Sequence, residues 1–309
     1  MAQTHWVIER LRQQWPTLEI TIERIRTTGD RVTDVPLSQI GGDGVFVTEI
    51  ERALHERRID LAVHSLKDLP TAQPDDLRLL IVGPREDVRD ALVTRSQHNI
   101  QSMSEFMRIG TSSLRRTAQL RVHYPQAEIL SIRGNVDTRL RKLDANQYDA
   151  IVLAAAGLHR LHMQDRLAHR ITYFSIETMM PAPGQGALAL EIRDEISMHE
   201  LLAPLNDPVT QATTTAERMF MRRLGAGCYL PVASYGEIIG DTLTLAGLVI
   251  SLDGQRQVRV SQSIPWSTSS AIEQAEQLGI TLAEQALAQG ADKIIGAIEA
   301  ARTQERQHV

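Results

Sequence analysis

The 309-residue sequence has one cysteine, Cys228, and three lysines, Lys67, Lys142 and Lys293. A single cysteine excludes an internal disulfide. No window offers the roughly 18 uninterrupted apolar residues of a membrane helix. No basic start runs into an apolar core with a small-residue cleavage site, so neither a membrane span nor a secretory signal is expected, and the expected compartment is the cytoplasm. Surplus positive charge is also missing. A formal net charge of −5 excludes nucleic-acid binding driven by bulk electrostatics. The phosphate-binding P-loop and the dinucleotide fingerprint are absent, which argues against nucleotides as ligands. The ten histidines are scattered without zinc-site spacing, and none stands beside Cys228 as a Cys-His protease arrangement would require.

What is present begins with arginine, which supplies all but three of the 33 basic residues. Its planar fork matches carboxylate or phosphate in a bidentate way, whereas lysine offers a point charge. Any one surface arginine taken alone reads as a solvated charge. The length suits two or three domains, each able to bury its own core, with clefts between them.

Short β-branched runs alternate with amphipathic stretches through the first two-thirds of the chain, the pattern of βαβ units and a mostly parallel, doubly wound sheet. Strands are expected over 18–25, 59–64, 78–82, 91–94, 108–110, 128–132 and 150–154. Helices are expected over 44–58, with Phe46, Ile50 and Leu54 at helical spacing, and after Thr111. Two breaks, GPREDVR at 83–89 and PAPGQG at 181–186, read as crossing segments that bracket an inserted domain. The expected division is 1–83 with 184–205, then 88–180, then 206–309. The last part reads as a three-stranded antiparallel meander over 233–263 with a turn at Asp253-Gly254, followed by a helix over 269–289.

Four segments could carry chemistry. HSLKDLP, 64–70, ends a predicted strand, and in open α/β sheets strand carboxyl ends face the ligand crevice, so Lys67 and Asp68 stand where a site would be. An aspartate there stabilises a developing cation or accepts a proton. Read alone, the segment is equally a surface turn closed by Pro70. GTSSLRRTAQLR, 110–121, runs from strand end to helix start. Free backbone N–H groups and the hydroxyls of Thr111, Ser112 and Ser113 make an anion cradle there, and Arg115 and Arg116 in the first turn oppose the helix dipole unless an anion binds. SIRGNVDTRLRKL, 131–143, repeats the arrangement with Arg133 and Arg139. Four arginines, unpaired at a common rim, would call for several carboxylates or phosphates as guests. LGAGCYLPV, 224–232, sets Cys228 in a glycine-flanked turn where a thiolate could be reached, although a lone cysteine is also an ordinary small core residue.

In order along nearly the whole chain, HSLKDLP, GTSSLRR, IRGNVDTRL, DAIVLAAAGLHRL, PGQGALALE and AGCYLPV resemble the porphobilinogen deaminase (hydroxymethylbilane synthase) family. The resemblance implies an α/β fold with two doubly wound lobes like type II periplasmic binding proteins and a small α+β C-terminal domain. It implies a dipyrromethane cofactor attached covalently to Cys228 by a thioether, and a transferase of tetrapyrrole (haem and chlorophyll) biosynthesis. That enzyme joins four porphobilinogen molecules head to tail with release of ammonia, then frees hydroxymethylbilane by hydrolysis. The matching positions assign Asp68 to catalysis, where it holds the electron-poor cation left when ammonia departs. Lys67, Asp68, Thr111, Ser113, Arg115 and Arg116 are assigned to the cofactor, and Arg133 and Arg139 to substrate carboxylates. A monomer is implied, with no metal, no nucleic-acid partner and no membrane partner.

Two departures set the remaining expectations. The family opens with a strand and a motif Arg-x-Ser-x-Leu-Ala-x-x-Gln, of which only Ala2 and Gln3 match the last part. That first strand is interior in a doubly wound sheet, so the expectation is either a start upstream or a form that folds poorly. The loop GGDG, 41–44, carries Asp43 where the family commonly has lysine, which would weaken an anion site. Two rival readings accompany the enzyme: an N-terminally truncated inactive paralogue, and a two-lobed anion-binding protein without catalysis.

Overall fold

The computed structural model describes residues 1–25, 27, 47–95, 107–227, 229–268 and 271–307. Cys228 and the 41–44 loop with Asp43 lie outside the described residues. Along the chain, α1 (Ala2–Gln14) and α2 (Thr48–His55) precede β1 (Leu61–Ser65), a 3-10 turn over Leu66–Asp68, and β2 (Leu77–Val82). A second series follows, with β3 (Asp90–Thr94), β4 (Arg108–Gly110), α3 (Leu114–His123), β5 (Glu128–Leu130), α4 (Val136–Asp144), β6 (Ala150–Ala154), α5 (Ala155–Arg160) and β7 (Ile171–Tyr173). Then β8 (Leu188–Arg193), α6 (Ile196–Leu202) and α7 (Pro208–Arg223) lead to β9 (Val232–Ile239), β10 (Thr242–Ile250), β11 (Gln257–Pro265), α8 (Ala271–Ala286) and α9 (Asp292–Gln307).

These strands form three sheets, ordered β1-β8-β2, β5-β4-β6-β3-β7 and β11-β10-β9. In the second sheet β4 is parallel to β5 and β6, while β3 runs against its neighbours β6 and β7. Four of its strands therefore point one way and one points back. In the first sheet β8 runs against both β1 and β2. The reversed strand in each lobe is the first one after a crossing. The chain crosses on the side where the other strands end, so the strand it then forms must start there and run away from it. Asp90, the first residue of β3, is placed on the cleft side by this geometry, and Gln185 is placed there just ahead of β8.

Helices cover both faces of each lobe's sheet. Val7 and Leu11 of α1 pack with Leu188, Leu190 and Ile192 on one face of the first sheet, and Leu54 of α2 packs with Ala62 and Leu77 on the other. In the second lobe Leu140, Leu143 and Leu158 meet Ile151 and Leu153 on one face, while Leu120 meets Leu92, Ile109 and Val152 on the other. The third body buries one face of its meander under α7, α8 and α9 around Phe220, Leu278 and Ile294. Its other face places Ala233, Leu248 and Ile250 against Ala118 of α3. The second lobe and the third domain are thus packed against one another.

The predicted strand over 18–25 is not formed; residues 18–25 have no regular structure. In the second lobe the element after the first helix, β5, pairs only with β4, and no described strand occupies the place equivalent to β4 in the first lobe. A segment without a ladder partner gains no hydrogen bonds by extending. The sequence reading also missed β7 and β8. The helix expected over 269–289 is α8, and α9, which follows Gly290 at φ 99°, is not among the expected elements.

Candidate active site

The turn after β1 is built on two buried anchors, Leu66 and Leu69. Leu66 N donates to Ala187 O at 3.1 Å and Leu69 N to Leu66 O at 3.2 Å. With its apolar ends fixed, the turn leaves Asp68 exposed and Lys67 half-buried. Lys67 Nζ donates to Gln185 Oε1 at 3.3 Å. Burial lowers the Lys67 ammonium to about 8; Asp68 and Asp90 resist the change, and Arg115 and Arg116 reinforce it.

Across the cleft, α3 starts as the sequence predicts. Ser113 caps the helix by accepting from Arg116 N, and Thr111 Oγ1 accepts from Ser113 N at 3.2 Å. Ser112 Oγ donates to Ile132 O and accepts from Ile132 N, which ties the end of β4 to the segment after β5. Asn135 caps α4 from Thr138 N at 2.9 Å.

The expectation of four unpaired arginines at one rim is corrected. Arg115 and Arg116 are 5% and 6% exposed, and both grip Asp90, which is fully buried. Arg115 Nη2 donates to Asp90 Oδ2 at 2.7 Å and its Nη1 to Met180 O at 2.6 Å. Arg116 donates to Asp90 Oδ1 from Nη2 at 2.7 Å and from Nε at 3.2 Å, and its Nη1 reaches Val152 O at 3.0 Å. Burial alone would push the Asp90 carboxyl up, but the two guanidiniums hold it well below the usual carboxylate range. Sequence spacing could not show this partner, because Asp90 arrives through the crossing.

Arg139 remains available. Its Nε donates to Gly134 O at 2.7 Å. Burial, with Arg116 and Arg133 nearby, lowers its guanidinium to about 10, and Asp68 opposes the shift. The same neighbourhood therefore holds Lys67, Asp68, Arg116, Arg133 and Arg139. Among the described residues neither Lys67 nor Arg139 has a carboxylate within ion-pair distance. Among the described residues, the carboxylates set against Lys67, Arg115, Arg116 and Arg139 are those of Asp68 and Asp90, which leaves an excess of positive charge suited to carboxylate guests.

Gln185, from the PAPGQG break, joins the lobes. Its fully buried amide accepts from Lys67 and donates from Nε2 to Asp90 Oδ1 at 2.9 Å and Val88 O at 2.7 Å. Gly186 adopts φ 90°, and a Cβ there would collide with the Glu86 carbonyl of the other crossing. Both crossings are fastened to the third domain by Glu217 on α7. Its carboxylate accepts from Arg85 Nη1 and Nη2 at 2.7 and 2.9 Å, from Gly184 N at 2.7 Å and from Gly236 N at 2.7 Å. Both breaks are legible in the sequence, whereas Glu217 sits inside an ordinary amphipathic helix and carries no local signal.

Comparison with known proteins agrees with this geometry. Residues 1–200 match the family model described as porphobilinogen deaminase, dipyromethane cofactor binding domain, and residues 211–288 match its C-terminal domain. The chain is 46% identical over 298 residues to the porphobilinogen deaminase of Syntrophotalea carbinolica, covering 96% of this chain and 92% of that one. It is 43% identical over 307 residues to that of Geobacter metallireducens, covering 98% and 93%. Among solved structures, the Bordetella pertussis BvgS periplasmic VFT2 domain aligns with a TM-score of 0.38 at 13% identity, over 64% of this chain and 74% of that one. So low a score carries no weight, and the two-lobed architecture rests on the sheets themselves. The sequence relatives and both family models place the chain in the porphobilinogen deaminase family.

Proposed function

We propose that this chain is a hydroxymethylbilane synthase, joining four porphobilinogen molecules head to tail and releasing the linear product by hydrolysis. The observation that carries this reading is the pair of cations Lys67 and Arg139 beside the exposed carboxylate of Asp68, with Arg116 near both cations. Each pyrrole brings an acetate and a propionate, so a cleft rich in arginine and poor in paired carboxylates suits several of them.

A dipyrromethane fits these residues, with the thiolate of Cys228 as its attachment point. When bound, it supplies the pyrrole α-carbon on which the chain is built. Thr111, Ser113, Lys67, Arg115 and Arg116 would hold its carboxylates, with Asp90 fixing the orientation of the two arginines. Arg133 and Arg139 hold the carboxylates of incoming porphobilinogen. Asp68 accepts pyrrole N–H groups and stabilises the positive charge that develops as the aminomethyl C–N bond breaks. A C–C bond forms, and the α-proton lost on coupling is taken up through Asp68 and leaves with ammonia as ammonium. The crossings at 83–88 and 180–184 divide lobe from lobe, residue 206 opens the domain with Cys228, and the enzyme works as a cytoplasmic monomer.

The test is the denatured mass of the purified protein. A mass heavier than the polypeptide by two pyrrole units, and the Ehrlich colour of a dipyrromethane that Cys228→Ser abolishes, are the expected results. An unmodified mass for well-folded protein would overturn the reading and favour a two-lobed anion-binding protein.

A further inference from the structure

Arg218 belongs to α7, yet its guanidinium reaches out of the third domain to the turn that carries Asp68. Nη2 donates to Pro70 O at 2.7 Å and Nη1 to Leu69 O at 3.3 Å. Pro70 O also accepts from Gln73 Nε2 at 3.0 Å, a bond within the same loop. Among the described residues no carboxylate pairs with Arg218, and burial together with Arg222 lowers it to about 10. A desolvated cation set against two carbonyls is an expensive way to close an interface, since an apolar residue of similar volume would avoid the desolvation cost. Its position suggests a purpose. The neighbouring residue, Glu217, binds the two crossings, and five residues after α7 ends the chain reaches Cys228.

The Asp68 turn is tied from two directions. Leu66 N and Lys67 Nζ bind Ala187 O and Gln185 on the second crossing, ahead of Asp68 in the chain. Arg218 binds the two carbonyls that follow Asp68. We infer that Arg218 is a positioning residue: it fixes the Asp68 turn to the helix that precedes Cys228 in the chain, so that the carboxylate keeps its place relative to that helix. The inference rests on the proposed role of Asp68. Arg218 touches neither substrate nor reacting atoms and acts only through that turn.

The experiment is a double-mutant cycle in the cofactor-loaded enzyme, with hydrogen exchange of residues 66–69 followed in parallel. Arg218→Met keeps the stem and removes the donors. It should lower kcat about 10- to 100-fold through misplacement of the carboxylate, leave KM for porphobilinogen within about twofold, and retain the Ehrlich colour. Arg218→Lys, which reaches one carbonyl, should recover part of the loss and should speed exchange at 66–69 while the lobe cores exchange as before. In an Asp68→Asn background, Arg218→Met should cause no further loss. Additive losses in the cycle, or unchanged exchange at 66–69 in Arg218→Lys, would overturn the positioning role while leaving Asp68 in place. An active Asp68→Asn enzyme would instead remove the Asp68 reading, and the role of Arg218 with it.

Discussion

The two lobes share one plan and divide the work between them. In each, a reversed strand delivered by a crossing lies between strands that run the other way, β8 between β1 and β2, and β3 between β6 and β7. The second lobe adds β4 and β5, each followed by a capped helix, and these two strand-to-helix turns carry Thr111, Ser113, Arg115, Arg116, Arg133 and Arg139. Among its described residues the first lobe contributes one short turn, Leu66–Asp68. Cradles that bind anions need helix starts and room for several arginines, whereas a carboxylate that meets a reacting ring needs one rigid, exposed position. On this account the second lobe binds and the first lobe reacts.

The comparison breaks most sharply at Asp90. Asp90→Asn leaves Arg115 and Arg116 buried without their counter-charge, and should destabilise the protein by about 3–5 kcal/mol in denaturant titrations at pH 7. The folded-state pKa of Asp90 is depressed, so its contribution is present above the ordinary carboxylate pKa and is lost as pH falls below about 4. The gap between wild type and variant should therefore narrow in acid. Glu217→Gln tests whether the lobes depend on the third domain for their relative placement. It replaces a carboxylate satisfied by four donors with an amide whose NH2 must face two of them, and should cost about 1.5–3 kcal/mol. Exchange should rise at the crossings before it rises in either sheet.

The smallest effect concerns Lys67, a cation that the first lobe lends to binding. Its ammonium loses its proton at about 8 in the folded protein. Its grip on the cofactor's carboxylates should therefore weaken above pH 8, by at most about tenfold per pH unit, read as slower recovery of the Ehrlich colour when cofactor-free protein is incubated with porphobilinogen, and Lys67→Arg should remove that alkaline limb. Stability moves the opposite way. The unfolded chain keeps the Lys67 proton up to its ordinary value of 10.5, so the folded state gains as pH rises from about 8 to 10.5.

Much of this was legible in the sequence because local chemistry specifies it. The strands over 108–110 and 150–154 stand where the β-branched runs put them, and Ser113 and Asn135 cap their helices as the residue types require. The site failed to be legible where it depends on topology. Asp90 reads as one acid among several near a chain crossing, and only the reversal of β3 brings it beneath Arg115 and Arg116. Gln185, Glu217 and Arg218 act across domain boundaries, at separations of 95, 132 and 148 residues from Asp90, Arg85 and Pro70. Periodicity carries no information about such partners. The predicted strand over 18–25 failed for a related reason, since a strand is specified by its neighbour as much as by its own residues.

The division of labour itself is tested most directly by the steady-state kinetics of Asp68→Asn in protein shown to carry the cofactor by mass. The account expects kcat to fall by about 10²- to 10⁴-fold while KM for porphobilinogen and the Ehrlich colour stay near wild type, because binding resides in the second lobe. A near-normal kcat, or a loss confined to KM, would contradict it.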